Sequence, residues 1–173
     1  LKCPLIILAG NHDSVATLNE SKELLAHLNA QVISTALDDP TEQVLMIQNQ
    51  QGEPGALICA IPFIRPKDVI KSQAGESATD KQQALGQAIA AHYESVYQAA
   101  LAKKAELGLP LPIIATGHLT AMGVTSSESV REIYIGTLDG FAASEFPCAD
   151  YIALGHIHRP QVVAKSEHIR YCG

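Results

Sequence analysis

Gly155-His156-Ile157-His158 places two imidazoles two positions apart, at the end of the apolar run Tyr151-Ile152-Ala153-Leu154 and before Arg159-Pro160. Neutral imidazole is a common ligand of first-row metals. Gly155 allows a sharp turn and a close backbone approach to a ligand. Alone, such a pair has little specificity and more often has a structural role. The arrangement recurs, however. Pro4-Leu5-Ile6-Ile7-Leu8-Ala9 runs into Gly10-Asn11-His12-Asp13, and Leu111-Pro112-Ile113-Ile114-Ala115-Thr116 runs into Gly117-His118. Each is an apolar, strand-like run closed by Gly and then by metal-capable side chains. In an open α/β sheet, ligands bind beyond the carboxyl ends of the strands. Convergence of three such ends would bring together Asn11, His118, His156 and His158.

Those side chains suit phosphoester hydrolysis, which needs an activated water, neutralised phosphoryl charge and a stabilised leaving oxygen. Two metal ions about 3.5–4 Å apart supply most of this. Asn11 would contribute its amide oxygen, and His118, His156 and His158 their ring nitrogens. No Asp or Glu at the same strand ends offers a bridging carboxylate, so the set is half of a two-metal site. Asp13 is expected to accept a proton from the neighbouring His12 imidazole and fix its orientation. His12 is then left to face substrate as an acid or charge stabiliser.

The elements that must position these groups follow from hydrophobic periodicity. Leu5–Ala9, Leu111–Thr116 and Tyr151–Leu154 read as buried strands, and Val32–Thr35 as a short one. Leu18–Leu28 reads as a helix with an apolar stripe of Leu18, Leu24, Leu25 and Leu28. Asp80–Leu107 is the clearest helix, with Leu85, Ile89, Tyr93, Val96 and Ala100 at helical spacing and Gly108 and Pro110 as stop signals. Gln43–Gln48 with Ala56–Ile61, and Gln161–Ala164 with His168–Tyr171, read as hairpins. Pro62–Pro66 and Leu119–Ser129 read as loops, and Gln73–Thr79 as a small, polar, mobile stretch. Ile133–Ile135 reads as a strand, and Asp139–Phe146 as a short helix closed by Pro147. The expectation is an α/β or α+β layered domain with two sheets, residues 1–173 forming a single, incomplete unit.

Composition sets further bounds. The chain has 173 residues, 47% of them hydrophobic, and a formal charge of −6, which argues against a basic nucleic-acid clamp made by this segment alone. Bound divalent cations would offset that charge locally. Cys3, Cys59, Cys148 and Cys172 show no C-x-x-C spacing and read as reduced, mostly buried thiols of a cytosolic protein. No run approaches the ~18 apolar residues of a membrane span, and no secretory signal is recognisable. The chain lacks an initiator Met and opens almost inside a strand, so it is expected to be part of a longer protein. His27, His92 and His168 read as ordinary helix or strand histidines. Arg65 and Arg159 are candidates for nucleic-acid contact, but the reading as ordinary surface arginines is favoured and no residue is assigned to such contact.

In order, Gly10-Asn11-His12-Asp13, Gly117-His118 and Gly155-His156-Ile157-His158 resemble the last three motifs of the calcineurin-like metallophosphoesterases. The flanks extend the likeness: Leu8–Ser14, Ala60–Pro66, Ala115–Thr120 and Asp150–His158 resemble the nuclease subunits of bacterial nuclease–ATPase complexes. This resemblance implies a two-sheet sandwich flanked by helices and a site for two manganese ions. Asn11, His118 and His156 would bind one ion and His158 the other, with His12 as catalytic histidine and Asp13 as its partner. It also implies double-strand DNA ends and hairpins as substrates, in DNA repair, recombination and replication. An ATPase subunit would be the partner, and the helix after Asn11-His12-Asp13 would form part of a homodimer interface. A phosphatase or cyclic-nucleotide phosphodiesterase with the same metal core is the alternative. A binding fragment with residual histidines is a third reading. The family's first two motifs, Asp-x-His and Gly-Asp-x-x-Asp, do not occur ahead of Gly10. The 173 residues by themselves are therefore expected to bind at most one metal weakly and to be inactive.

Overall fold

The computed structural model describes residues 3–70, 77–122 and 140–173. The fold is mixed α/β with two sheets. Strands β1 (Leu5–Leu8) and β2 (Ala30–Ile33) pair in parallel as a two-stranded sheet. Between them lie α1 (Val15–Glu20) and α2 (Lys22–Ala26). The single helix expected over Leu18–Leu28 is thus two short ones. Ser14 caps the first by accepting the Thr17 N–H, and the Ser21 N–H turns back to the Asn19 carbonyl, closing α1 before α2 begins. Serine favours such local bonds over helix interiors.

The larger sheet contains β3 (Val44–Gln48), β4 (Pro54–Cys59), β5 (Ile113–His118), β6 (Tyr151–Gly155), β7 (Gln161–Val163) and β8 (Ser166–Tyr171). Their order is β3-β4-β5-β6-β8-β7. The central strands β4, β5, β6 and β8 run parallel, and an antiparallel hairpin closes each edge. Both expected hairpins are present. The second turns through Ala164 and Lys165, with φ of 47° and 62°, the sense of turn that matches strand twist.

Helix α3 (Pro66–Val69) starts at the last residue of the expected Pro62–Pro66 loop, and Asp68 accepts the Arg65 N–H at its start. Helix α4 (Ala78–Leu107) begins with a capping box between Ser77 and Asp80 and ends at Gly108 with φ 65°. Residues 77–79 of the stretch read as mobile therefore form the cap and first turn of this helix. Leu85, Ile89, Tyr93, Val96 and Ala100 are its buried residues, as the periodicity predicts. They join Leu57, Cys59, Ile113, Ala115, Ile152, Leu154 and Tyr171 in one contiguous core.

Four expectations need correction. Of the cysteines only Cys59 is buried, while Cys3, Cys148 and Cys172 are exposed, because they lie outside the strands and helix that form the core. Strand β6 is buried on one face only, since Tyr151 and Ala153 are exposed while Ile152 and Leu154 are not. Leu5 of β1 is likewise exposed. Unbroken apolar runs do not distinguish one covered face from two. The helix expected over Asp139–Phe146 is, within the described residues, a single 3-10 turn, Ala143–Glu145. The backbone of Phe141 is instead engaged with Thr120 and Met122, through bonds of 2.8 Å each. The strand expected at Ile133–Ile135 and parts of the stretches 73–79 and 119–129 lie outside the described residues.

Candidate functional site

Parallel strands bring their carboxyl ends to one edge, so the residues that follow β1 and those that end β5 and β6 become neighbours. His118 pairs in register with Gly155 across β5 and β6. His118 Nε2 lies 2.9 Å from Asn11 Oδ1, which joins the end of the small sheet to the end of the large one. The His118 and His156 rings meet edge to face with centroids 5.2 Å apart. The Phe63 ring stands edge-on to the other side of His118 at 6.2 Å. The structure therefore brings Asn11, His118 and His156 into one corner.

Two glycines make that corner possible. A Cβ on Gly10 would stand 2.7 Å from His118 Cε1, and one on Gly155 would stand 3.1 Å from His118 Nδ1. The imidazole of His118 occupies space that a side chain at either position would fill. His156 has φ 92°, a conformation disfavoured for a residue with a Cβ. Strain of this kind persists where the surroundings over-determine it, often at functional sites.

Burial and the neighbouring imidazoles disfavour the charged forms of His118 and His156. Burial lowers His118 from its ordinary 6.5 to about 4, helped by His156, His12 and His158 and opposed by Asp13. Burial also lowers His156, assisted by His158 and His12. His12 and His158 are exposed, and they act on the same corner through these fields. Neutral imidazoles present lone pairs without a proton to displace, as metal binding requires.

Asp13 is tied to its own turn. Its Oδ2 accepts the Gly10 N–H at 2.6 Å. The Asp13 N–H returns to the Gly10 carbonyl at 3.4 Å. The four-residue turn is thus closed from both sides.

A divalent cation fits this corner in part. Asn11 Oδ1 and His118 Nε2 face each other, with His156 beside them, and all three are neutral donors. Among the described residues no three His, Cys, Asp or Glu side chains are placed to hold a metal ion. The anionic, bridging donors of a two-metal site are not in this set.

Several residues that support the corner carried no recognisable signal. Thr116 Oγ1 accepts the Ile61 N–H at 2.7 Å and lies 3.0 Å from the Cys59 carbonyl. It ties the segment after β4 to β5, two residues before His118. Tyr171 donates to the Leu119 carbonyl at 2.7 Å and accepts the Ala121 N–H at 2.9 Å, anchoring the chain just after His118. Arg65, read as a surface arginine, donates from Nη2 to the Asp13 carbonyl at 3.1 Å.

No family model matches the chain. Curated relatives do, over nearly its full length. It is 53% identical over 171 residues to SbcD, the D component of the SbcCD nuclease, of Escherichia coli (strain K12), a match covering 99% of this chain and 41% of that protein. The protein of the same name from Staphylococcus epidermidis is 30% identical over 176 residues, covering 100% of this chain and 41% of the relative. That from Rhodobacter capsulatus is 29% identical over 177 residues, covering 98% and 42%. The chain spans about two-fifths of the length of these relatives. With Asn11, His118 and His156 gathered at the strand ends, the likeness to these SbcD proteins runs through the whole chain, and the 173 residues correspond to a segment of them.

Proposed function

We propose that the protein containing this segment is a metal-dependent DNA nuclease that hydrolyses phosphodiester bonds and works with an SbcC-type ATPase in the cytoplasm. The observation that carries this reading is the meeting of Asn11, His118 and His156 at the carboxyl ends of β1, β5 and β6. In an open α/β fold that edge is where ligands bind. The names of the relatives support nuclease activity and an SbcCD assembly.

Asn11, His118 and His156 would hold one manganese ion, and His158 would serve the second. When bound, such ions supply an activated water and neutralise phosphoryl charge. His12, exposed on the turn between Gly10 and Asp13, would donate a proton to the leaving oxygen or stabilise charge developing there. Asp13 would hold that turn closed through Gly10. The substrates would be double-strand ends and hairpins, in repair, recombination and replication.

A homodimer fits the same reading. Leu24 is 68% exposed and Leu28 53% exposed, and neither α1 nor α2 has a buried residue. These leucines form the apolar side of the segment that the family resemblance places at a subunit contact.

The test is manganese-dependent cleavage by the full-length protein with its ATPase partner, comparing hairpin-ended duplex DNA with a small phosphomonoester. DNA cleavage lost in His12→Ala is the expected result. Turnover of the monoester with DNA untouched would instead establish a phosphatase on the same ligands.

A further inference from the structure

The segment between β4 and α3 lies between the two halves of the candidate site and bonds to both. At one end Thr116 Oγ1 accepts the Ile61 N–H, and the Phe63 ring abuts His118. In the middle the Phe63 N–H donates to the Ala9 carbonyl at 2.8 Å. At the other end the Arg65 guanidinium reaches the carbonyls of Asp13, at 3.1 Å, and Ser34, at 3.4 Å. Asp13 follows β1 and Ser34 follows β2, so one planar cation spans the carboxyl ends of both strands of the small sheet. Ser34 is itself tied to α1, its hydroxyl donating to Asn19 Oδ1 at 2.7 Å.

Arg65 is also fixed from behind. Its guanidinium carbon lies 5.6 Å from the centre of the Phe63 ring, and its backbone N–H is held by Asp68. A guanidinium is suited to this task because its donors form a rigid fork that satisfies two acceptors at once. A lysine ammonium keeps the charge but not the fork.

We propose that Arg65 is a positioning residue for the Asn11–Asp13 turn, holding His12 and Asn11 at a set distance from His118, and not a contact to nucleic-acid phosphate. The proposal rests on the phosphodiesterase reading for its effect on rate, but not for its effect on the turn. Displacement of a reacting group by about 1 Å costs on the order of 100-fold in rate.

The test uses the full-length protein and the substitutions Arg65→Ala and Arg65→Lys. Two substrates are compared under manganese: duplex DNA and bis(p-nitrophenyl) phosphate, a diester too small to reach a DNA-binding surface. Arg65→Ala is expected to lower kcat on both by the same factor, about 10- to 100-fold, with KM within about twofold. Arg65→Lys is expected to stay impaired on both, and millimolar methylguanidinium to restore part of the Arg65→Ala activity. Backbone amide exchange across residues 10–13 is read in parallel and should quicken at least tenfold in both variants. Loss confined to DNA, with KM rising and salt dependence weakened, would overturn the proposal in favour of phosphate contact. Full activity in Arg65→Lys would do the same by showing that charge suffices. An unmutated protein that cleaves neither substrate would sink the phosphodiesterase reading alone, because amide exchange still decides whether Arg65 holds the turn. Unchanged exchange overturns it in every case.

Discussion

His118 is the residue on which the candidate site turns. It contacts Asn11, His156 and Phe63, leaves no room for a side chain at Gly10 and crowds one at Gly155. Its folded value near 4 lies below the ordinary 6.5. Between those values the unfolded chain binds the proton and the folded chain does not, so acid favours unfolding there. His156 and the half-buried His92 are lowered for the same reason, loss of solvent around the charged form. In metal-free protein the contribution of these histidines to stability is therefore expected to be fully present above about pH 6.5 and to fall steadily as the pH drops toward 4. Thermal melts at pH 7, 6 and 5 measure this. His118→Gln should flatten the dependence, and an unaltered slope would show that burial of this imidazole is not its source.

At the scale of elements, α4 sets the height of β5. The Tyr93 side chain lies directly over Gly117, where a Cβ would run into its hydroxyl. Its ring stacks on Phe141 and meets Phe146 edge to face, with centroids 5.8 Å and 5.4 Å away. Among the described residues the hydroxyl has no hydrogen-bond partner. Gly117 thus lets the helix settle onto the strand one residue before His118. Gly117→Ala should destabilise the fold by about 1–3 kcal/mol, the usual range for overpacking a core. Tyr93→Phe removes the obstructing oxygen, so the double variant should recover part of that loss. A denaturant double-mutant cycle measures the coupling, and strict additivity would show that the two residues do not meet.

Taken as a whole, the molecule has two sheets whose parallel strands end at a common edge, and the candidate ligands are distributed between them. Asn11 follows β1 of the small sheet, His118 ends β5 of the large one and His156 follows β6. All three are neutral, and a two-metal site needs anionic oxygen donors as well. The 173-residue polypeptide is accordingly expected to bind no more than one manganese ion, with weak affinity, and the full-length protein is expected to bind two. Titration calorimetry of both forms gives the stoichiometries directly. Two tightly held ions on the shorter polypeptide would mean that carboxylates within it complete the site.

Much of this is readable in the chain itself. Apolar runs ending in Gly and a metal-capable residue mark β1, β5 and β6, because a strand and its following turn are local in sequence. The buried face of α4 is likewise local, since helical spacing alone selects Leu85, Ile89, Tyr93, Val96 and Ala100. The break at Ser21, the single turn at Ala143–Glu145 and the exposed face of β6 are not readable, because each depends on which partner the backbone or side chain finds. The same holds for Asp13, whose neighbour in sequence is His12 but whose bond is to Gly10. Only the tertiary structure brings Arg65 to the carbonyls of Asp13 and Ser34, 52 and 31 residues away. A single arginine in a proline-flanked loop has no period or spacing that announces such contacts. They exist because parallel strands deliver distant segments to the same edge.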